Sequence, residues 1–256
     1  MPLSYSQLRT YLACPRQYEY QSIKKLPRGI STAESFGSSV HNCLKKFGEK
    51  EYSGQKSVVN DQVGMFDNNQ PSTINLQLED LIDLWKQSFI IDTYKSRVEA
   101  DFHRQRGEEI MKKFFEWWKS ENRQVMGVET SFKIDVGGIV VSGRIDRIEK
   151  GIKVIDFKTT PTRTQEEVDA DLQLSIYAMA VKELFEEYPS ELMMLYLNDD
   201  GVTEIRTERS ESQLKDAVKQ ITSVSNYIKE GEFKPRPSVT ACKRCPYKGV
   251  CDVAAV

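Results

Sequence analysis

The chain has 256 residues, 39% of them hydrophobic, which is enough for a sizeable buried core. Its 36 basic and 38 acidic residues give a net charge of −2, which excludes a global basic field. No apolar run reaches the roughly 20 residues of a membrane span, and the N-terminus lacks a basic segment followed by an apolar one. We therefore expect a cytoplasmic protein without membrane contacts.

The first half of the chain is predicted to be helical. Ser4 and Gln7 have the spacing of a capping box, and Pro15 limits the helix that they begin. Apolar residues at helical spacing predict three further helices, over residues 33–49, 76–90 and 98–119. The polar residues 52–75, which include Gly, Asn and Pro, predict a loop.

From residue 128 the apolar period changes to two, which predicts β-strands. Three strands cover residues 128–136, 139–149 and 152–158, with turns at Gly137-Gly138 and Gly151. The remaining elements are a helix near 167–187, strands around 192–198 and 203–208, and a helix near 211–229. This order predicts an α/β or α+β core with a helical region, residues 50–125, inserted before the sheet.

Ionisable residues interrupt the second and third strands. Asp156 and Lys158 share one face of their strand, because side chains alternate along a strand. A three-residue loop, Glu149-Lys150-Gly151, with Gly151 left-handed and Ile148 paired with Ile152, would bring Asp146 to the same face.

Two carboxylates that converge on a sheet repel each other unless a cation lies between them. Their hard oxygen ligands favour Mg²⁺ or Mn²⁺, and a nearby lysine can hold a water molecule beside the metal. The pattern of Asp146, Asp156 and Lys158 thus points to phosphodiester hydrolysis. A buried ion pair or a solvated strand end is the alternative interpretation.

Four motifs follow one another along the chain, namely "FGSSVHNCLKKF", "GRIDRI", "VIDFKTT" and "DLQLSIYAMAV". In this order they resemble the PD-(D/E)XK nuclease superfamily in its RecB-like branch. The resemblance implies a mixed central sheet flanked by helices, in one nuclease domain over residues 1–256 whose core sheet and helices cover 127–230.

The resemblance also implies roles for residues in these motifs. His41, four residues after Gly37, would bind the metal together with Asp146 and Asp156, assisted by the Phe157 carbonyl. Lys158 would be the catalytic lysine, and Gln173 and Tyr177 would support it or reach the substrate from one helix face. Glu129 is not assigned to the metal, because it could lie near the metal or only at the edge of a strand. His103 is expected on the surface.

Four of the five cysteines form a separate pattern. Cys242, Cys245 and Cys251 lie close together in the tail, residues 238–256, and three thiolates leave a metal site one ligand short. Cys14, followed by proline, is the expected fourth ligand, and the arrangement resembles the iron–sulfur staple of AddB-type and CRISPR-associated adaptation nucleases. A 4Fe-4S cluster, structural zinc and unligated thiols remain open. Cys43 is expected to pack as a small apolar residue.

The resemblance implies a metal-dependent DNA exonuclease that acts on single strands or frayed ends, in repair, recombination or CRISPR spacer acquisition. A structure-selective endonuclease and a non-catalytic DNA-binding subunit are the alternatives. The sequence has no G-x-x-x-x-G-K-[ST] motif, so a helicase or another nucleic-acid-processing protein would be a separate partner.

Candidate substrate contacts lie outside the motifs. Basic residues could bind phosphates or be solvated, namely Lys24, Lys25, Arg28, Arg144, Arg147, Lys243, Arg244 and Lys248. Aromatic residues of "MKKFFEWWKS" could stack on bases, but their helical spacing is more typical of a core; they are Phe114, Phe115, Trp117 and Trp118.

Overall fold

The computed structural model of the protein describes residues 2–61 and 76–256. Its α-helices are α1 (Tyr5–Ala13), α2 (Pro15–Tyr18), α3 (Thr32–Asp61), α4 (Leu78–Ser88), α5 (Arg97–Lys119), α6 (Gln165–Asp169), α7 (Leu172–Phe185), α8 (Glu211–Lys229) and α9 (Val239–Arg244). A π-helical turn, Glu19–Ile23, follows α2. No helix among the described residues is long and apolar enough to cross a membrane.

The strands form one five-stranded sheet in the order β1-β2-β3-β4-β5. They are β1 (Val125–Val136), β2 (Ile139–Glu149), β3 (Lys153–Lys158), β4 (Glu191–Asn198) and β5 (Gly201–Thr207). Only β3 and β4 run parallel, because α6 and α7 form the crossover between them. The predicted α/β fold with a mixed sheet flanked by helices is therefore confirmed.

The two faces of the sheet pack against different helices. One hydrophobic cluster joins Val154 of β3 to apolar residues of α1, α7 and α8. The other cluster joins Ile155 and Phe157 to apolar residues of α3, α4 and α5. Strand alternation thus separates the two layers, and the inserted helices α4 and α5 form part of the second one.

The helix α3 extends twelve residues beyond its predicted end at residue 49. Part of the loop predicted over residues 52–75 was therefore wrong, and the rest, residues 62–75, lies outside the described residues. The extension carries Glu51, which is buried and bonded to Arg147 of β2. This tertiary contact outweighs the weak helix propensity of the segment.

The loop between β2 and β3 also differs from its prediction. Ile148 pairs with Val154 and Glu149 with Lys153, so the loop consists of Lys150, Gly151 and Ile152. Gly151 is left-handed as predicted, but Ile152 is left-handed as well, with φ of 58°. The register is shifted by two residues, which is one full period of a strand, so each side chain keeps its predicted face.

The N-terminal segment joins the sheet before α1 begins. The Leu3 N–H donates to the Val140 carbonyl, and the Ser142 N–H donates to the Leu3 carbonyl, both at 2.9 Å. The predicted capping box of Ser4 and Gln7 then begins α1. The start of the chain is thereby fixed beside β2.

Candidate active site

The site lies in a cleft where β2 and β3 separate. Their pairing ends at Arg147 and Ile155. Beyond this point, side chains form the hydrogen bonds that the backbone groups would otherwise make between strands. The hydroxyl of Tyr177 on α7 donates to the Arg144 carbonyl at 2.8 Å. The N–H of Phe157 donates to Asp146 Oδ2 at 2.9 Å. The cleft is thus lined by side chains in place of a strand ladder.

The two predicted aspartates lie on one face of the sheet. Continuing the β2–β3 register places Asp146 directly opposite Asp156, where the sequence predicted a diagonal relation. Asp156 is 1% exposed, whereas the Asp146 side chain is 13% exposed. Asp146 therefore faces the opening of the cleft, and Asp156 lies behind it.

Lys158, Gln173 and Tyr177 form a chain of contacts around Asp156. Lys158 Nζ lies 2.5 Å from Asp156 Oδ2 and donates to Gln173 Oε1 at 2.8 Å. Gln173 Nε2 donates to the Tyr177 hydroxyl at 2.7 Å. Gln173 and Tyr177 are neighbours on one helix face, as their spacing of four predicts. The structure thus brings together four of the residues named from the sequence.

Burial and charge set the protonation of this group. Burial raises the pKa of Asp156 to about 6, although Lys158 lowers it, and the charge of Asp146 raises it further. Burial lowers the pKa of Lys158, but the charges of Asp156 and Asp146 outweigh this effect and raise it overall. Lys158 therefore stays protonated and partly balances the two carboxylates.

His41, Glu129 and Asp146 converge at the mouth of the cleft. One ligand atom from each lies within 4.8 Å of the other two, and His41 Nδ1 is 3.5 Å from Asp146 Oδ2. Burial lowers the pKa of His41, but its hydrogen bond to Asp146 and the carboxylate charges raise it overall. An imidazole and two carboxylates form a donor set for a divalent cation.

Glu129 was left outside the metal set in the sequence analysis, although the sequence held a signal for it. Val136 pairs with Ile139 across the Gly137-Gly138 turn, where both glycines have positive φ. Counting back through this register places Glu129 opposite Asp146. Glu129 itself has φ of 47°, an unfavourable conformation for a residue with a side chain.

Two glycines allow α3 to carry His41 into the site. A Cβ atom at Gly37 would lie 3.0 Å from Thr159 Oγ1, and one at Gly48 would lie 2.9 Å from Val128 Cγ2. The helix therefore contacts the segment after Lys158 at one point and β1 at another. The close approach of Thr159 thus explains why the G-x-x-x-H motif begins with glycine, Gly37.

The donor atoms fit a divalent cation. Within the described residues, buried Asp156 Oδ2 accepts no hydrogen bond of good geometry, although Lys158 lies beside it. The carboxylates of Glu129 and Asp146 lie in one group with His41, and the charges of Asp146 and Asp156 raise the pKa of His41. A bound cation would take the place of the His41 proton among these carboxylates. Phe157 contributes its N–H to Asp146, and the predicted role of its carbonyl stays a prediction.

Other sequence candidates have different surroundings. Arg147 was expected either to bind phosphate or to be solvated, and it does neither. It is buried, pairs with Glu51 and Glu149, and points away from Asp146 across the sheet. Arg144 is exposed and pairs with Glu129. His103 is half-buried among the rings of Phe36, Phe102 and Tyr94, not on the surface as predicted.

The aromatic residues of α5 belong to the core. Phe114 and Phe115 are buried, and Trp117 and Trp118 pack against the same hydrophobic cluster. The Trp117 ring is also covered by the Arg123 guanidinium, 3.7 Å from its centroid. These rings are therefore not available to stack on bases.

The four cysteines line one cavity between the two ends of the chain, where Cys14 meets Cys242, Cys245 and Cys251. Burial and the neighbouring cysteines raise the pKa of the Cys245 thiol. Other contacts join the same ends: Arg236 Nη1 donates to the Leu12 carbonyl, and the Tyr247 hydroxyl donates to the Leu26 carbonyl. Cys43 is buried at a distance from this group, in the helical layer, as predicted.

Comparisons with known proteins place the chain in a family. A sequence profile of the PD-(D/E)XK nuclease superfamily matches residues 2–252. One similar solved structure is the protein named SSO0001, 16% identical, with a TM-score of 0.44; the match covers 100% of this chain and 87% of that one. Another is a protein from Eubacterium rectale that is described as a candidate exonuclease. It is 12% identical with a TM-score of 0.48, and the match covers 98% of this chain and 86% of that one. No curated protein sequence matches significantly.

Proposed function

Because the chain belongs to the PD-(D/E)XK nuclease superfamily, we propose that it is a divalent-metal-dependent nuclease that degrades DNA from single-stranded or frayed ends. The observation that carries this proposal is the convergence of His41, Glu129 and Asp146 at a cleft that holds the Asp156–Lys158 pair. The preference for strand ends follows from the likeness of its motifs to the RecB-like branch.

Each residue has a distinct task in the proposed reaction. His41, Glu129, Asp146 and Asp156 would hold Mg²⁺ or Mn²⁺, which lowers the pKa of water and balances charge on the phosphate oxygens. Lys158 would hold and orient the attacking water, because its ammonium group is fixed by Asp156 and Gln173. Gln173 and Tyr177 keep Lys158 in place through hydrogen bonds that end on the Arg144 carbonyl.

Circular single-stranded DNA tests the proposed preference for ends. With Mg²⁺ or Mn²⁺ the protein should degrade a linear strand and leave a covalently closed circle of the same sequence intact, and a chelator should stop the reaction. Gel electrophoresis of both substrates measures this. Cleavage of the circle would identify an endonuclease, and binding without cleavage of either substrate would favour a non-catalytic DNA-binding subunit.

We further propose that the four cysteines hold a 4Fe-4S cluster that joins the chain ends. Among the described residues, no three of these sulfurs lie within 4.8 Å of one another. A tetrahedral zinc site, with Zn–S bonds of about 2.3 Å, requires sulfurs about 3.8 Å apart. The wider spacing therefore favours a cluster over a single zinc ion.

The Cys245→Ala variant should lose iron and sulfide and become less stable by about 2–5 kcal/mol, the range for a lost cross-link, because Cys14 and the tail are no longer joined. Iron and sulfide analysis and denaturant unfolding measure the effect. Cys43→Ala is the control, since it should keep its iron. A Cys245→Ala protein of unchanged stability would contradict the structural role of the cluster.

A further inference from the structure

Tyr5 lies beside the catalytic cleft at the start of α1. Leu3 pairs with β2 in the parallel direction, so the chain then runs alongside β2 towards Arg144. The helix α1 packs against both β2 and α7, the helix that carries Gln173. The Tyr5 ring packs against the hydrophobic cluster that contains Val154 of β3 and Leu174 of α7, so it lies on the face of the sheet that carries Lys158.

The Tyr5 hydroxyl is available for a ligand. The ring packs against the first hydrophobic cluster, and the hydroxyl forms no hydrogen bond with any described residue. Burial raises the pKa of Tyr5, the charge of Asp171 raises it further, and the charges of Lys158, Arg9 and Arg163 lower it. The charges that act on Tyr5 are therefore those of Asp171, Lys158, Arg9 and Arg163, and its pKa is raised overall.

Arg163 is a fixed guanidinium in this group. Its Nη1 donates to Asp171 Oδ2 at 2.7 Å, while Asp171 Oδ1 accepts the N–H groups of Gln173 and Leu174 at the start of α7. Because Gln173 also accepts from Lys158, Arg163 is connected to the catalytic lysine through a rigid helix cap. Its side chain is 32% exposed and uses one of its five N–H donors in this bond.

Arg9 adds a second guanidinium one turn after Tyr5 on α1. It is exposed and forms no ion pair in the part of the chain that the structure describes. The Arg9–Tyr5–Arg163 group therefore has two cationic side chains and a hydroxyl, and Asp171 is the one carboxylate bonded to it among residues 2–61 and 76–256.

We propose that Tyr5, Arg9 and Arg163 form a subsite for the phosphate that adjoins the scissile phosphate on the same DNA strand. Arginine donors and a hydroxyl are the groups that bind phosphate oxygens and set the register of a strand. This inference rests on the proposed nuclease function, and it assigns α1 a part in substrate binding. Stacking of a base is excluded for Tyr5, since its ring is packed against the core.

Charge-neutral linkages in the DNA test this contact directly. A set of single-stranded oligonucleotides would each carry one methylphosphonate, at successive positions, and binding would be measured by fluorescence anisotropy in Ca²⁺. For the wild-type protein, one position next to the scissile linkage should weaken binding by about tenfold, the effect of one charge-assisted hydrogen bond. In Arg163→Gln, which keeps a hydrogen-bond donor for Asp171, the same methylphosphonate should weaken binding by less than about twofold.

Matched variants separate this contact from general effects. Tyr5→Phe removes only the hydroxyl and should also reduce the interference, whereas Tyr227→Phe, at an exposed tyrosine, should not. Arg206→Gln removes an equal charge from a surface ion pair on β5 and should keep the full interference. Thermal unfolding would show that each variant is folded at the assay temperature.

The outcomes distinguish the subsite from the nuclease activity. If the wild-type protein cleaves unmodified DNA but Arg163→Gln and Tyr5→Phe keep the full interference, the subsite is wrong and the nuclease stands. If the interference is coupled to Arg163 but no cleavage occurs with Mg²⁺ or Mn²⁺, the subsite stands and the nuclease proposal fails.

Discussion

Lys158→Ala should lower kcat for DNA cleavage by about 10²–10⁴-fold, the usual contribution of a group that positions or transfers a proton. Lys158 Nζ is held between Asp156 Oδ2 and Gln173 Oε1, so alanine removes the ammonium group that would orient the attacking water. The substitution also withdraws the charge that lowers the pKa of buried Asp156. Both effects act against catalysis.

Lys158→Arg separates these two effects. Arginine keeps a positive charge beside Asp156 but places its donors differently. If the role of Lys158 is charge balance, the arginine variant should keep most of its activity; if it orients water, the variant should be as slow as alanine.

The measurement is single-turnover cleavage of end-labelled single-stranded DNA with Mg²⁺ or Mn²⁺. Lys153→Ala is the control, because Lys153 lies on the same strand, at its other end, in the pair with Glu149. Unchanged cleavage by a folded Lys158→Ala protein would show that the proposed site is wrong.

Arg147→Met should reduce the free energy of unfolding by about 3–5 kcal/mol, the cost of breaking a buried ion pair from one side. Arg147 bonds Glu51 at 2.6 and 3.0 Å and Glu149 at 2.7 Å. All three side chains are almost fully buried, so methionine would leave Glu51 without its counter-charge, whereas Glu149 would keep Arg123 at 3.4 Å. Because Glu51 lies on α3 and Arg147 follows Asp146, the same contact fixes the helix that carries His41.

Denaturant unfolding with Arg144→Met as the control measures this effect. Arg144 is on the same strand, but it is 59% exposed and pairs with Glu129 near the surface, so its loss should cost less than about 1 kcal/mol. Adding Glu51→Gln to Arg147→Met should recover part of the loss, since it removes one unpaired charge. Equal stability of the two arginine variants would show that the buried cluster does not stabilise the fold.

The sheet face of each candidate residue could be predicted from the sequence. Strand alternation placed Asp156 and Lys158 on one face, and the two-residue period kept Asp146 with them although the loop prediction was wrong. The same rule, applied across Gly137-Gly138, leads to Glu129. Local sequence is sufficient here because a tight turn fixes the pairing of its strands.

Long-range packing decided the remaining features. Alternation could have indicated that Arg147 points away from Asp146, but only the fold placed Glu51, 96 residues earlier in the chain, beside it. The separation of β2 from β3, which opens the cleft, depends on Leu3, Tyr177 and the Asp146 carboxylate replacing strand contacts.

The sequence by itself determined the order of the elements, the face of each strand residue and the motifs of the family, because these depend on neighbours along the chain. The tertiary structure alone decided how far α3 extends, which arginine is buried, and that Arg163 bonds Asp171 at the start of α7. Such contacts join residues far apart in the sequence, and their energies depend on burial and on partners that no local pattern records.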